Sequence, residues 1–281
     1  MEFRMNTERS ITKKVHSYAT IMAKGMCVGG SMLVPGVSGG SMAMILGIYD
    51  RLIEAVSSFF KHVGASIRFL ALFSISAGVG MALFAKPLLS LIERFPTVMM
   101  YFFMGAVCGS IPMIVRKAKV KKLHWSVIVY PVIGLLMMFA IQLLPMDLLS
   151  VGDRGSIISY LPMVVTGIVV AIALVLPGIS VSYMLLVLGL YEETMEAIST
   201  MDFLFLMPLG VGLVLGILLT TKLLDQAMTR YPTATYLVIL GFILASCIDV
   251  FPGIPSGLNI LFAILMFCGG AFLIGRLVKE S

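Results

Sequence analysis

Apolar residues fill this chain in blocks of about twenty, separated by short segments that hold most of the Lys and Arg. Six blocks are long enough to cross the roughly 30 Å hydrocarbon core of a bilayer as helices. They run from about Ile67 to Ala85, Pro96 to Val115, Trp125 to Pro145, Phe203 to Thr221, Thr233 to Val250 and Gly257 to Gly275. Two further regions, about Ser17 to Phe60 and Ile157 to Thr200, are apolar but interrupted by Pro-Gly, and they carry charges that a lipid-facing helix avoids. Each is predicted to be a re-entrant hairpin of two shorter helices. A break at membrane depth strands backbone N–H and C=O groups, so it survives only inside protein or beside a water-filled cavity. The hairpin tips are therefore expected in the interior. Two full crossings per hairpin would give the same parity and stay open as the alternative.

The two hairpins read alike. Pro35 to Ser58 is PGVSGGSMAMILGIYDRLIEAVSS and Pro177 to Thr200 is PGISVSYMLLVLGLYEETMEAIST, 142 residues further on, with ten of twenty-four positions identical. A second echo pairs RFPTVMMYFFMGAVCGS from Arg94 with RYPTATYLVILGFILAS from Arg230, 136 residues apart. Internal repeats with Pro-Gly-broken apolar segments are how many transporters build a site near the bilayer midplane. The expected fold is thus an all-α polytopic membrane protein of two inverted-topology repeats. Residues 1–124 form the first, 125–156 a connecting span and outer loop, and 157–281 the second.

Composition sharpens this picture. Over 281 residues, 59% hydrophobic side chains, 12% charged side chains and a mean hydropathy of +1.06 exclude a soluble domain. The net charge of +6 lies between apolar runs, where it orients the chain in a membrane and is no nucleic-acid footprint. With a cytoplasmic N-terminus, fifteen Lys and Arg fall on the inside, among them Lys61, Arg68, Lys117, Lys222, Arg230 and Arg276. Only Lys86, Arg94 and Arg154 fall outside, which places both termini in the cytoplasm and makes the halves inverted. Lys24 interrupts the first apolar stretch and no small-residue cleavage site follows, so no cleaved signal peptide is expected. Cys27, Cys108, Cys247 and Cys268 lie singly in apolar sequence and read as packing residues; no metal site or cofactor is expected.

Chemistry concentrates at the breaks, Pro35-Gly36 and Pro177-Gly178. A half-helix starting at about Ser38 or Ser180 presents unpaired N–H groups and a positive dipole end to an anion. Ser38, Gly39, Gly40 and Ser41 offer hydroxyls and bare backbone to a phosphate, and Ser180 and Ser182 offer hydroxyls from the other half. The simpler reading makes Ser38 and Ser180 N-caps alone. Lys24 and Arg51 are the basic residues inside the hairpins. Arg51 either meets a phosphate, pairs with Asp50 or Glu54, or snorkels; Lys24 meets the anion or snorkels. Glu54 and Glu196 occupy equivalent positions and are candidates for proton coupling. Tyr49 and Tyr191, also equivalent, are interfacial anchors or gating contacts. Gly36-Val-Ser38-Gly-Gly40 satisfies G-x-S-x-G, but His16, His62 and His124 all lie in basic loops or at span ends and the second copy lacks the glycines, so a serine hydrolase is disfavoured. The spacings Gly105 to Gly109 and Gly212 to Gly216 signal close helix packing.

From about Lys24 to Arg276, PGVSGGS…LGIYDRLIEA and PGIS…LLVLGLYEE resemble the two signature segments of the bacterial DUF368 family, the PopT-type polyprenyl-phosphate transporters. The resemblance implies a flippase that returns undecaprenyl phosphate, the lipid carrier of cell-envelope synthesis, from the outer to the inner leaflet of the bacterial cytoplasmic membrane. Its signature falls here on Pro35, Gly36, Ser38, Gly39, Gly40, Ser41, Gly47, Tyr49 and Arg51, then Pro177, Gly178, Ser180, Gly189 and Tyr191. This chain has Met32 where the family pattern carries Asp, and Val181 where it carries Gly. The implied partners are a polyprenyl phosphate and the bilayer, with no nucleic acid, and nothing in the sequence excludes a homo-oligomer. Moving an anion inward against the membrane potential costs about 2.3 kcal/mol per charge per 100 mV, which a proton or another cation could offset. A secondary transporter of a small soluble anion is the rival reading.

Overall fold

The computed structural model describes residues 18–33, 37–120, 125–143, 161–257 and 259–279. Among them the chain is helical throughout, in twelve helices that fall into two series of six. The first series is α1 (residues 18–31), α2 (Gly39–Ile45), α3 (Tyr49–Ser57), α4 (Val63–Arg94), α5 (Pro96–Lys117) and α6 (Ser126–Gln142). The second is α7 (Leu161–Val175), α8 (Val181–Val187), α9 (Tyr191–Thr200), α10 (Phe203–Arg230), α11 (Pro232–Val250) and α12 (Asn259–Lys279). Long and short helices alternate in the same order in both.

Five helices, α4, α5, α10, α11 and α12, are long and apolar enough to cross a membrane, and α6 is a shorter apolar helix. These are the six blocks read from the sequence. The largest difference is α4, whose 32 residues continue nine positions beyond the predicted end, through Lys86 and Pro87. Proline costs a helix one backbone bond and a steric clash, which a packed apolar helix tolerates with a bend.

Each broken hairpin has three helical pieces where the sequence pattern suggested two. The additional break has a local cause. α2 ends in a Schellman motif: Gly47 N–H donates to Met44 O and Ile48 N–H to Ala43 O, both at 3.0 Å. α8 ends the same way, with Gly189 N–H on Leu186 O at 3.0 Å and Leu190 N–H on Leu185 O at 2.9 Å. Both glycines hold positive φ, +68° at Gly47 and +75° at Gly189, where a Cβ is strained. Tyr49 and Tyr191 then start α3 and α9 at once.

The duplication extends into the packing. A Cβ on Gly105 of α5 would stand 2.0 Å from the Phe267 carbonyl oxygen of α12, and one on Gly241 of α11 would stand 2.1 Å from the Pro131 carbonyl oxygen of α6. Gly105 and Gly241, and Pro131 and Phe267, are related by the same 136-residue step as the second sequence echo. Each half thus lends its fifth helix to the sixth helix of the other, through seams where only glycine admits a neighbouring backbone. The first and fourth helices pair likewise: Gly80 of α4 meets Met26 of α1, and Gly216 of α10 meets Ile168 of α7. The Trp125–Pro145 span, read from sequence as a connector, is α6 and packs as the counterpart of α12.

Buried side chains of α2, α3, α5 and α11 form the largest core cluster, with Met44, Ile45, Ile114, Leu237 and Ile243 almost fully enclosed. Large apolar side chains remain exposed along α4, α6, α10 and α12. In water such a surface would be untenable; against lipid tails it is solvated.

Candidate functional site

The start of α2 meets the break between α7 and α8. Pro35 and Gly36 lie outside the described residues, but Ser38 follows directly, and its side-chain oxygen accepts the N–H of Gly178 at 3.0 Å, across 140 residues of chain. The same oxygen accepts Ser41 N–H at 3.1 Å as the N-cap of α2 and lies 2.9 Å from the Ser41 hydroxyl. Gly40 makes the approach sterically feasible, since a Cβ there would stand 3.2 Å from Pro177 Cα. Gly178 is held at φ +91°, with its Cα face against the Phe242 carbonyl of α11, 2.5 Å from where a Cβ would be. Gly39 faces the side chain of Met32.

Breaking α7 at Pro177 leaves late carbonyls without helical partners. One of them is satisfied from the other half: the Tyr49 hydroxyl donates to Val175 O at 2.7 Å, with Tyr49 only 2% exposed. Tyr49 is therefore no interfacial anchor; it ties the start of α3 to the end of α7. Tyr191, its equivalent, is partly buried against the α8 and α11 cluster, and its hydroxyl makes no matching bond among the described residues.

Ser180 caps α8, accepting Tyr183 N–H at 3.4 Å, and like Ser182 it is exposed. Ser41 is buried and lines a narrow cleft between α2, α5 and α11, with room for little more than a water molecule. Its walls are Met42, Ile45, Phe103 and Val107, and Ser246 and Cys247 add polar atoms beside Ser41. Ser246 was not singled out in the sequence, although it ends the second echo in register with Ser110.

The remaining candidates lie elsewhere. The Arg51 guanidinium is exposed and sits 4.5 Å over the Phe69 ring of α4, a cation–π contact that was none of the three readings its sequence left open. Asp50 instead pairs with Lys117 of α5, 2.6 Å from its Nζ. Lys24 is half-buried on α1 within electrostatic range of Lys117. Glu54 and Glu196 are both exposed on the outer faces of α3 and α9. Glu193, not Glu196, has a carboxylate oxygen buried without a hydrogen-bond partner among the described residues. His62, exposed at the start of α4, is far in sequence and surroundings from the Ser38 hydroxyl, which is already committed to backbone and serine partners; His16 and His124 lie outside the described residues.

Fold and site together define a polytopic helical membrane protein in which the start of α2 bonds to the break between α7 and α8 beside a cleft that is mostly apolar. The chain belongs to the VCA0040-like family, described as undecaprenyl phosphate translocase-like, whose model matches residues 28–257. It is 30% identical over 272 residues to a polyprenyl-phosphate transporter of Staphylococcus aureus, covering 91% of this chain and 93% of that protein. It is 28% identical over 258 residues to a polyprenyl-phosphate transporter of Vibrio cholerae, covering 85% of this chain and 79% of that protein. No solved structure matches it.

Proposed function

We propose that this protein is a polyprenyl-phosphate flippase, returning undecaprenyl phosphate from the outer to the inner leaflet of the bacterial cytoplasmic membrane. The observation that carries the reading is the contact of Gly178 N–H with Ser38 Oγ, part-buried between helices of both halves. A phosphate headgroup must leave water to cross hydrocarbon, whereas its isoprenoid tail can stay in lipid. A protected polar point flanked by an apolar cleft open at one side suits such a molecule. The Ser41 and Ser246 hydroxyls at that cleft and the Ser180 cap are the groups we assign to the phosphate; Ser38 both caps α2 and holds the tips in register. Lys24 and Arg51, on α1 and α3, would guide the anion toward the inner side. Coupling to protons or another cation, through Glu54 or Glu196, would offset the membrane potential.

The test is leaflet-resolved movement of a polyprenyl monophosphate in proteoliposomes, with Ser41→Ala, Ser38→Ala and protein-free vesicles alongside. The expected result is wild-type movement well above protein-free vesicles and a loss of about tenfold or more in each variant. Exchange of a soluble phosphate or other small anion, with no movement of the lipid, would replace the lipid by the soluble-anion reading.

A further inference from the structure

The scaffold helices pack alike in the two halves, but the short third helices do not. α3 lies along α10, and Ser57 Oγ donates to Asp225 Oδ2 at 2.8 Å, joining residues 168 positions apart. Beside it, Lys117 of α5 pairs with Asp50 of α3, and the Lys117 Nζ lies 6.0 Å from the centre of the Tyr236 ring of α11. Thr233 Oγ1 donates to Ala118 O at 2.7 Å, closing the ends of α5 and α11 against each other at the same face. In the second half the corresponding helix, α9, has no comparable packing along α4 among the described residues. Carried through the two repeat steps, Ser57 corresponds to Ser199, Asp225 to Leu89, Asp50 to Glu192 and Lys117 to Gly253. The second half can therefore make the helix contact but not the polar bonds.

Two copies of one sequence that share their scaffold and differ in a single short element are what one end state of an alternating transporter shows. We propose that the α3–α10 contact is one of two alternating gates, and that in the opposite state α3 leaves α10 while α9 packs on α4, bringing Ser199 to Leu89. The inference rests on the transport reading for its purpose, but not on the identity of the substrate. By the charge distribution the α3 gate lies at the cytoplasmic end, so the state described is closed inward and receives its cargo from the outer side. Asp50–Lys117 and Ser57–Asp225 hold that gate shut at rest, and their absence from the second half makes the outer closure the weaker one.

The experiment uses proteoliposomes of the full chain with Cys27, Cys108, Cys247 and Cys268 replaced by Ala, and two separate cysteine pairs, Ser57→Cys with Asp225→Cys and Leu89→Cys with Ser199→Cys. Ser90→Cys with Thr200→Cys serves as a second probe of the outer gate should the Leu89 pair fail to fold. Rates of cross-linking by a short bifunctional thiol reagent are compared with and without Lys117→Gln. The expected result is a change in opposite directions: the inner pair cross-links several-fold more slowly and the outer pair several-fold faster once Lys117 is lost. Equal or same-sign changes, or no cross-link at either outer pair in any background, overturn the proposal. Each cross-link should also lower polyprenyl phosphate movement at least tenfold, reversibly with a cleavable reagent. Movement that ignores both cross-links overturns the gate and leaves the flippase reading standing. Opposed cross-linking rates without any lipid movement overturn that reading and leave the gate.

Discussion

Tyr49 and Tyr191 occupy the same place in two copies of one motif, yet Tyr49 is sealed in the core with its hydroxyl on Val175 O while Tyr191 is half-exposed and lacks that bond. The same contrast runs along the helices they begin. α3 is fastened to α5 and α10 through Asp50 and Ser57, whereas Glu192 and Ser199, at the matching positions of α9, would face Gly253 and Leu89. The difference teaches that duplication fixed the frame, and that a few unmatched polar residues then biased which of two equivalent closures forms. The bias required is small. A partly exposed ion pair contributes about 0–1 kcal/mol, and 1 kcal/mol shifts a two-state population by roughly fivefold.

The comparison can be broken most forcefully at the tips, where the halves touch. Gly178→Ala places a Cβ against the Phe242 carbonyl at a positive φ, and should destabilise the protein by about 2–4 kcal/mol, read as a lower melting temperature in detergent. The matched pair of tyrosines comes next. Tyr49→Phe leaves the buried Val175 carbonyl without its donor and should cost about 1–2 kcal/mol, while Tyr191→Phe should change stability by less than about 0.5 kcal/mol. Equal losses would mean that the two tyrosines hold their helices alike, and would overturn the asymmetry. The smallest effect sharpens the contrast: Asp50→Asn should cost at most about 1 kcal/mol and Glu192→Gln nothing measurable, by the same melting assay.

Much of this was readable in the residues. The break at Pro177-Gly178, the serine caps at Ser38 and Ser180 and, to within about a turn, the starts of the five long helices and of α6 follow from local rules, because proline removes a donor and serine supplies an acceptor wherever they stand. The second break of each hairpin was also present, in Gly47 and Gly189, but a single glycine in an apolar run is compatible with a continuous helix, and only the six-to-one bond of the Schellman motif marks it as a stop. Arg51 was open to three readings because a cation has many partners within reach along one helix; Phe69, on the next helix, was decided by how α3 lies on α4.

By itself the sequence determined the class of protein, the places of the apolar helices, the duplication and the chemistry gathered at two Pro-Gly segments, since hydropathy, glycine and proline act through the bilayer and the local backbone. Tertiary structure alone decided that the start of α2 bonds to the break between α7 and α8, that each half completes the other through the α5–α12 and α11–α6 seams, and that Asp50, Lys117, Ser57 and Asp225 come together at one face. Those pairings join residues 67 to 168 positions apart. No local rule can specify them, because they depend on how whole helices cross, which is set by the summed packing of the bundle.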